Sequence, residues 1–338
     1  MPTRRRALVI LCLLLLLAGA SFVVALAAGS IPVTFHDLLA ALFGGALDRA
    51  DENTLAVEVI RGLRLPRALG AFACGGLLAL AGALMQVLLR NPLADPYVLG
   101  ISGGAAVGAL FAILLGLALW LINLAAFGGA FAAMLIVFGL AHGDSSWTRT
   151  RLLLTGVIVA AGCGAAVALI LSIAPEAQLR GMLFWLMGDA GQISEPRPAL
   201  VVLAAGLLLA LPFARELNLL ARGDVLAQTL GVSINHVKRG VYFLAALATA
   251  TAVTTAGSIG FIGLIVPHLT RLGLIKSGWG NDQRLLLPAA ALVGGSLLLL
   301  ADTLARTVVA PQQLPVGVLT ALIGVPAFLF LLGREKHA

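Results

Sequence analysis

Side chains able to do chemistry are few in this chain, and their spacing excludes most of what they could do. The five histidines are His36, His142, His236, His268 and His337, and the three cysteines are Cys12, Cys74 and Cys163. None has further ligand-type residues at metal-binding spacing, so no metal site is expected. The cysteines lie inside apolar runs and read as small core residues. His268 follows Pro267 and reads as a packed neutral imidazole. Only Lys238, Lys276 and Lys336 supply an amine. No G-x-x-x-x-G-K-[ST] loop, nucleophile elbow or zinc-protease helix motif occurs. The expectation is a chain without catalytic residues or a cofactor of its own, unable to hydrolyse ATP unaided.

Two polar features survive this elimination. Asp302 and Arg306 stand four residues apart, the spacing of an ion pair on one helix. The second feature is the interval from Arg215 to Arg239, polar between long apolar runs. Asp224 after Gly223 suits a helix N-cap, and Val225, Leu226, Thr229 and Leu230 recur at helical spacing. Gly231 suits the left-handed stop after that helix, and Ser233 can cap a second short turn through Val237. Read by itself, this compact knob is either an ordinary connection or a docking surface for a soluble partner.

The elements that carry these residues follow from composition. Of 338 residues, 60% are hydrophobic and 11% charged, and mean hydropathy is +1.05. That apolar content marks a polytopic membrane protein. Long continuous runs, rather than alternating ones, select helices over a barrel. The net charge of +7 resides between the runs, where lipid topology explains it without nucleic acid. Ten candidate spans fall at roughly 7–28, 66–88, 98–115, 118–140, 152–172, 197–213, 241–258, 261–275, 285–304 and 315–332. The first mimics a secretory signal but is long enough to span, and is expected to remain uncleaved. With both termini inside, fifteen of the 22 Lys and Arg fall on inner segments, as the positive-inside rule requires. The 215–239 knob is then cytoplasmic.

Small residues recur every fourth position in three spans: Gly100 to Gly116, Gly156 to Ser172, and Ala248 to Gly260. Such stripes let helices approach closely in lipid. Thr251, Thr254, Thr255 and Ser258 form a hydroxyl face that either bonds the preceding turn or lines a water-filled path. No span holds a charge near its middle, which argues against a proton- or sodium-coupled carrier. Two stretches break helix regularity near membrane depth, Leu89 to Gly104 and Gly257 to Arg271. They occur in halves that run oppositely through the bilayer, the pattern of an inverted repeat around a substrate route.

Several stretches together resemble one family. They are L-R-L-P-R-A-L at 63–69, G-A-L-M-Q-V-L-L-R-N-P-L-A-D-P at 82–96 and L-G-I-S-G-G-A at 99–105. G-M-L-F-W-L-M-G at 181–188, G-S-I-G-F-I-G-L-I-V-P-H-L-T-R at 257–271, L-L-L-A-D-T-L-A-R at 298–306 and L-P-V-G-V-L-T-A-L-I-G-V-P at 314–326 complete the set. This order and spacing is similar to the permease subunits of type II ABC importers for iron–siderophores, haem and vitamin B12 (FecCD-type). The resemblance implies an all-α subunit, one permease domain over 1–338, with about ten transmembrane helices in two oppositely oriented pseudo-repeated halves. It implies a homodimer in a bacterial inner membrane, with a periplasmic substrate-binding protein outside. Two cytoplasmic ATPase subunits inside would hold the ATP and Mg. It places ATPase coupling on Arg215, Arg222, Gly223, Asp224, Ala227, Gly231 and Val232. Binding-protein docking falls on Arg64, Arg67 and Arg306, whose forked guanidinium suits a carboxylate. The resemblance places the gate on Asn91, Pro92 and Leu93 and on the entry to the fifth span at Thr148 and Thr150, with Arg149 and Arg151 unusual there; Thr251 and Ser258 of the hydroxyl face are the further candidates for the path. Haem or an iron–siderophore is the expected cargo, with cobalamin and an ion-coupled carrier as alternatives.

Overall fold

A computed structural model describes residues 4–29, 31–43, 53–141, 149–193, 195–275 and 277–335. The helices in order are α1 (Arg4–Ala27), α2 (Phe35–Phe43), α3 (Asn53–Val59), α4 (Leu65–Leu89), α5 (Ile101–Leu114), α6 (Leu119–Ala141), α7 (Arg149–Ile173) and α8 (Glu176–Met187). They continue with α9 (Arg197–Ala210), α10 (Ala214–Arg222), α11 (Asp224–Thr229), α12 (Ile234–Ala256), α13 (Ile262–Ile275), α14 (Gln283–Thr307) and α15 (Val316–Glu335). Each of the ten spans read from the sequence coincides with one helix: α1, α4, α5, α6, α7, α9, α12, α13, α14 and α15. Among the described residues, five helices are long and apolar enough to cross a membrane: α1, the run ending in α4, α6, α7 and α14.

Two of the remaining spans are short for a structural reason. Helices α5 and α13 have 14 residues each, about 21 Å of rise, too little for a ~30 Å hydrocarbon core. Each is preceded by the buried or half-buried part of one irregular stretch, residues 94–100 and 257–261, packed among neighbouring helices. Irregular backbone at that depth is tolerable only in such surroundings.

Helix α4 is the axis of the fold. Its best 18-residue window is 94% buried, and α14, α12, α13 and α9 surround it. Small residues make this possible, because they let backbones meet without intervening side chains. A Cβ on Gly75 would sit 2.2 Å from the Gly294 carbonyl of α14, and one on Gly82 would sit 1.8 Å from the Gly263 carbonyl of α13. The predicted stripe on α5 does the same against α6, with Gly104 facing Gly129 and Gly108 facing Ala125. On α7 the stripe is only partly used. Gly156 meets Val98, but Gly164 has nothing within 4 Å, and α7 lies at the periphery with 11% of its window buried.

Three helices were not anticipated. Helices α2, α3 and α8 are short, and all lie in connections that the positive-inside count puts on the outer side. The knob also differs from expectation. Its two helices are α10 and α11, joined at Gly223 rather than Gly231, and the turn from Ile234 to Val237 is the start of α12. A 69° bend separates α9 from α10, so α10 leaves the membrane direction instead of extending the span.

Candidate functional site

The knob is built on a strongly amphipathic α10. Ala214, Leu217 and Leu220 are buried, while Arg215 and Arg222 are exposed. Gly223 then takes φ +141°, a backbone that side-chain-bearing residues rarely adopt, and turns the chain into α11. Ala227 is fully buried beneath α11 and Val232 is partly buried behind it. Val225 is 77% exposed, and Leu226 and Leu230 are exposed beside it. The knob therefore presents an apolar tip away from the bundle. Gly231 adopts φ +83° after α11, as the stop position requires.

Asp224 and Ser233 behave differently from the capping roles assigned to them. No side-chain capping bond starts α11 or α12, because Asp224 is already the first residue of its helix and its carboxylate faces other elements. Oδ1 accepts from Arg149 Nη2 at 3.0 Å and Oδ2 from Lys238 Nζ at 2.9 Å. Burial pushes this carboxyl up, but Lys238 and Arg149 outweigh it and hold it below the usual carboxylate range. The two cations start α7 and α12. One carboxylate thus ties the knob to two spans. Thr150 begins α7 beside Arg149, whereas Thr148 lies outside the described residues.

The two irregular stretches, distant in sequence, meet in space. The Tyr97 hydroxyl donates to the Ile259 carbonyl at 2.8 Å and accepts from the Ile259 amide at 3.0 Å. The Ser102 and Ser258 hydroxyls lie 2.9 Å apart. Asp95 supports the first stretch by accepting from the Tyr97 amide at 2.7 Å. Each stretch also holds a non-glycine residue with a left-handed backbone, Arg90 (φ 50°) and Phe261 (φ 70°), a strained geometry that surrounding structure must enforce. The loop between Arg90 and Pro96 carries Asn91, Pro92 and Leu93 at its exposed turn, where the Asn91 side chain accepts from the Leu93 amide at 2.9 Å. Of the hydroxyl face, Thr254 and Thr255 spend their protons on carbonyls of Ala250 and Thr251. Thr251 is buried, and Ser258 joins the junction with α5.

The outer arginines are more deeply engaged than surface docking residues. Arg67 forms a two-pronged pair with Asp302, both bonds 2.8 Å, and donates to Gln313 at 2.9 Å. This corrects the expected Asp302–Arg306 pair: the fork of Arg67 offers two parallel bonds that a one-turn neighbour on α14 does not make. Arg306 instead donates to the Ala25 carbonyl. Arg64 is 6% exposed and donates to the carbonyls of Leu26 at 2.7 Å, Ala27 at 3.2 Å and Ile31 at 2.7 Å. Two guanidiniums thus satisfy the orphan carbonyls that end α1. In the same region Arg61 donates to the carbonyls of Ala40 and Ala41, which end α2. Nothing in the local pattern of the sequence announced these cross-chain caps.

Facing the knob is a cavity of about 610 Å³, walled by the post-α4 loop, α10, α13 and the α13–α14 turn. Asn91 and Pro92 belong to its lining, as does Arg222. Among the described residues no cluster of His, Cys, Asp or Glu could hold a metal ion.

The pattern of the FecCD transport family matches residues 13–334. The chain belongs to the FecCD transport family. Among curated relatives of this permease, the hemin transport system permease protein of Yersinia pestis is 46% identical over 286 residues, 81% of this chain and 83% of that protein. The cobalamin import system permease protein of Halobacterium salinarum is 42% identical over 287 residues, 84% of this chain and 76% of that protein. A solved structure of a metal-chelate type ABC transporter in an inward-facing conformation is also similar. It superposes with a TM-score of 0.82 at 31% identity, covering 97% of this chain and 99% of that one. The protein is therefore a multi-pass FecCD permease of the ABC-importer class, all-α as its sequence led one to expect.

Proposed function

We propose that this permease is one half of a homodimer in a bacterial inner membrane, passing haem or an iron–siderophore inward. The ATP is hydrolysed on separate cytoplasmic subunits seated on α10 and α11. The family match carries this reading, together with a knob whose apolar tip, Val225, Leu226 and Leu230, is exposed among the described residues. Charge is placed to transmit a push: Asp224 joins α11 to α7 and α12, so displacing the knob loads two spans at once. A periplasmic binding protein supplies cargo at the outer end. There Arg64, Arg67 and Arg306 reach it by exchanging their carbonyl and Asp302 partners for its carboxylates. Asn91, Pro92, Leu93, Thr148, Thr150, Thr251 and Ser258 flank the route and its inner gate.

The preference for haem follows the hemin permease relative, and cobalamin is the second reading because a cobalamin permease is nearly as similar. Proteoliposomes containing this permease, with its ATPase and binding protein, are expected to accumulate haemin only when ATP is supplied. Accumulation of cobalamin but not haemin would move the assignment to the second reading. Uptake without the ATPase subunits would overturn the importer mechanism.

A further inference from the structure

The cavity beside the knob, which borders the gate loop at Asn91 and Pro92, carries a concentration of positive charge. Three arginines line it from three different elements: Arg90 after α4, Arg222 at the end of α10, and Arg271 in α13. Among the described residues none forms an ion pair; the three salt bridges there involve Arg67, Arg149 and Lys238. The hydrogen bond of Arg271 goes to a neutral group, Gln86 Oε1, at 3.2 Å. Arg90 approaches the α10–α11 joint so closely that a Cβ on Gly223 would stand 3.6 Å from its Nη2. Among the described residues the lining carries one carboxylate, Asp282. Its Oδ1 accepts from Asn218 Nδ2 and from the Arg284 amide, each at 3.0 Å, and it forms no ion pair with the three arginines.

Three cations against one carboxylate leave the described lining with surplus positive charge. Arg90 and Arg222 are exposed and Arg271 is half-buried, so the guanidiniums keep water but repel one another, a cost that a bound anion removes. A side-chain carboxylate presents two oxygens and satisfies one fork, whereas a phosphate group offers oxygens on several sides to forks arriving from different directions. At about 610 Å³ the space lies within the range of small-molecule sites.

We propose that this cavity binds a phosphate-bearing anion and thereby bridges the gate loop, α10 and α13. The ligand is either a soluble phosphate or diphosphate or the headgroup of an anionic phospholipid. Its place between elements that must move relative to one another makes it a regulator of gating rather than cargo. The site rests on the inward orientation of the knob, but its test needs neither ATPase nor substrate.

The permease alone, in phosphatidylcholine nanodiscs, is titrated with inorganic pyrophosphate by calorimetry. In a second arm, phosphatidylglycerol is offered and its retention read by native mass spectrometry. Saturable binding of either probe is expected, with Arg271→Gln and Arg90→Gln each weakening it at least tenfold. Arg284→Gln removes a nearby exposed charge outside the lining and is expected to leave binding within twofold. A soluble ligand is indicated by the first arm and a lipid by the second. Failure of both probes to bind wild type overturns the proposal, as does binding equally insensitive to all three substitutions. Circular dichroism of each variant in the same nanodiscs keeps loss of fold apart from loss of site.

Discussion

At the scale of single residues, the pair Arg67–Asp302 makes the sharpest prediction. Asp302 is 2% exposed, so Asp302→Ala leaves a buried guanidinium without its counter-ion. The expected loss is about 3–5 kcal/mol, read as a lower midpoint in thermal unfolding in detergent. Arg67→Met with Asp302→Leu removes both charges and is expected to recover most of that loss; a double variant as unstable as the single would contradict the pair's role. Gly231→Val tests a different kind of residue. Nothing lies within 4 Å of a Cβ there, so only the left-handed backbone resists it, by roughly 1–2 kcal/mol. ATP hydrolysis is expected to persist in that variant while transport falls severalfold. The sequence read Gly231 correctly because a glycine stop is a local signal. It misread Asp224 as a helix cap and Asp302 as the partner of Arg306, since the cations that hold them come from other elements: Arg149 and Lys238 for the first, Arg67 for the second. The three carbonyl acceptors of Arg64 lie more than thirty residues away, beyond any spacing rule.

At the scale of elements, spans were legible and their joints were not. Hydropathy locates helices because lipid demands it, whereas the short α2, α3 and α8 answer to packing among connections. The meeting of Tyr97 with Ile259 was foreshadowed only as two similar interruptions. Helix contacts can be tested by adding one methyl. Gly82→Ala puts a Cβ into the Gly263 carbonyl and is expected to cost about 1–3 kcal/mol. Gly162→Ala on α7 meets open space and is expected to change unfolding little; equal effects would refute the described α4–α13 approach. The Asp224 clasp belongs here too. Its carboxyl is held below the usual range, so the clasp is complete above about pH 4 and is lost as pH falls through the folded-state value. The difference in unfolding midpoint between wild type and Asp224→Asn is therefore expected to stay constant from pH 8 to pH 5 and to close below pH 4.

At the scale of the whole molecule, the buried axis α4 and the peripheral α7 divide the work. An axis held by backbone-to-backbone contact resists deformation, while a helix mostly free of its own chain can serve a second copy. Cross-linking of a single cysteine placed at Ala165, an exposed α7 position, is expected to yield dimers in native membranes if the proposed homodimer joins there. Monomer alone would move the joint elsewhere. The same arrangement bears on how the protein is made. Helix α1 emerges first, yet Arg306, one of the two side chains that close its far end, is translated roughly 280 residues later, a delay of about 15–55 s at ordinary elongation rates. Arg64, made fewer than forty residues after that end, holds it first, while Arg306 and α14 come only later. The most apolar part of α1, with a mean hydropathy of 3.0, suits that wait, since a segment so greasy is content in the bilayer long before its last clasp arrives.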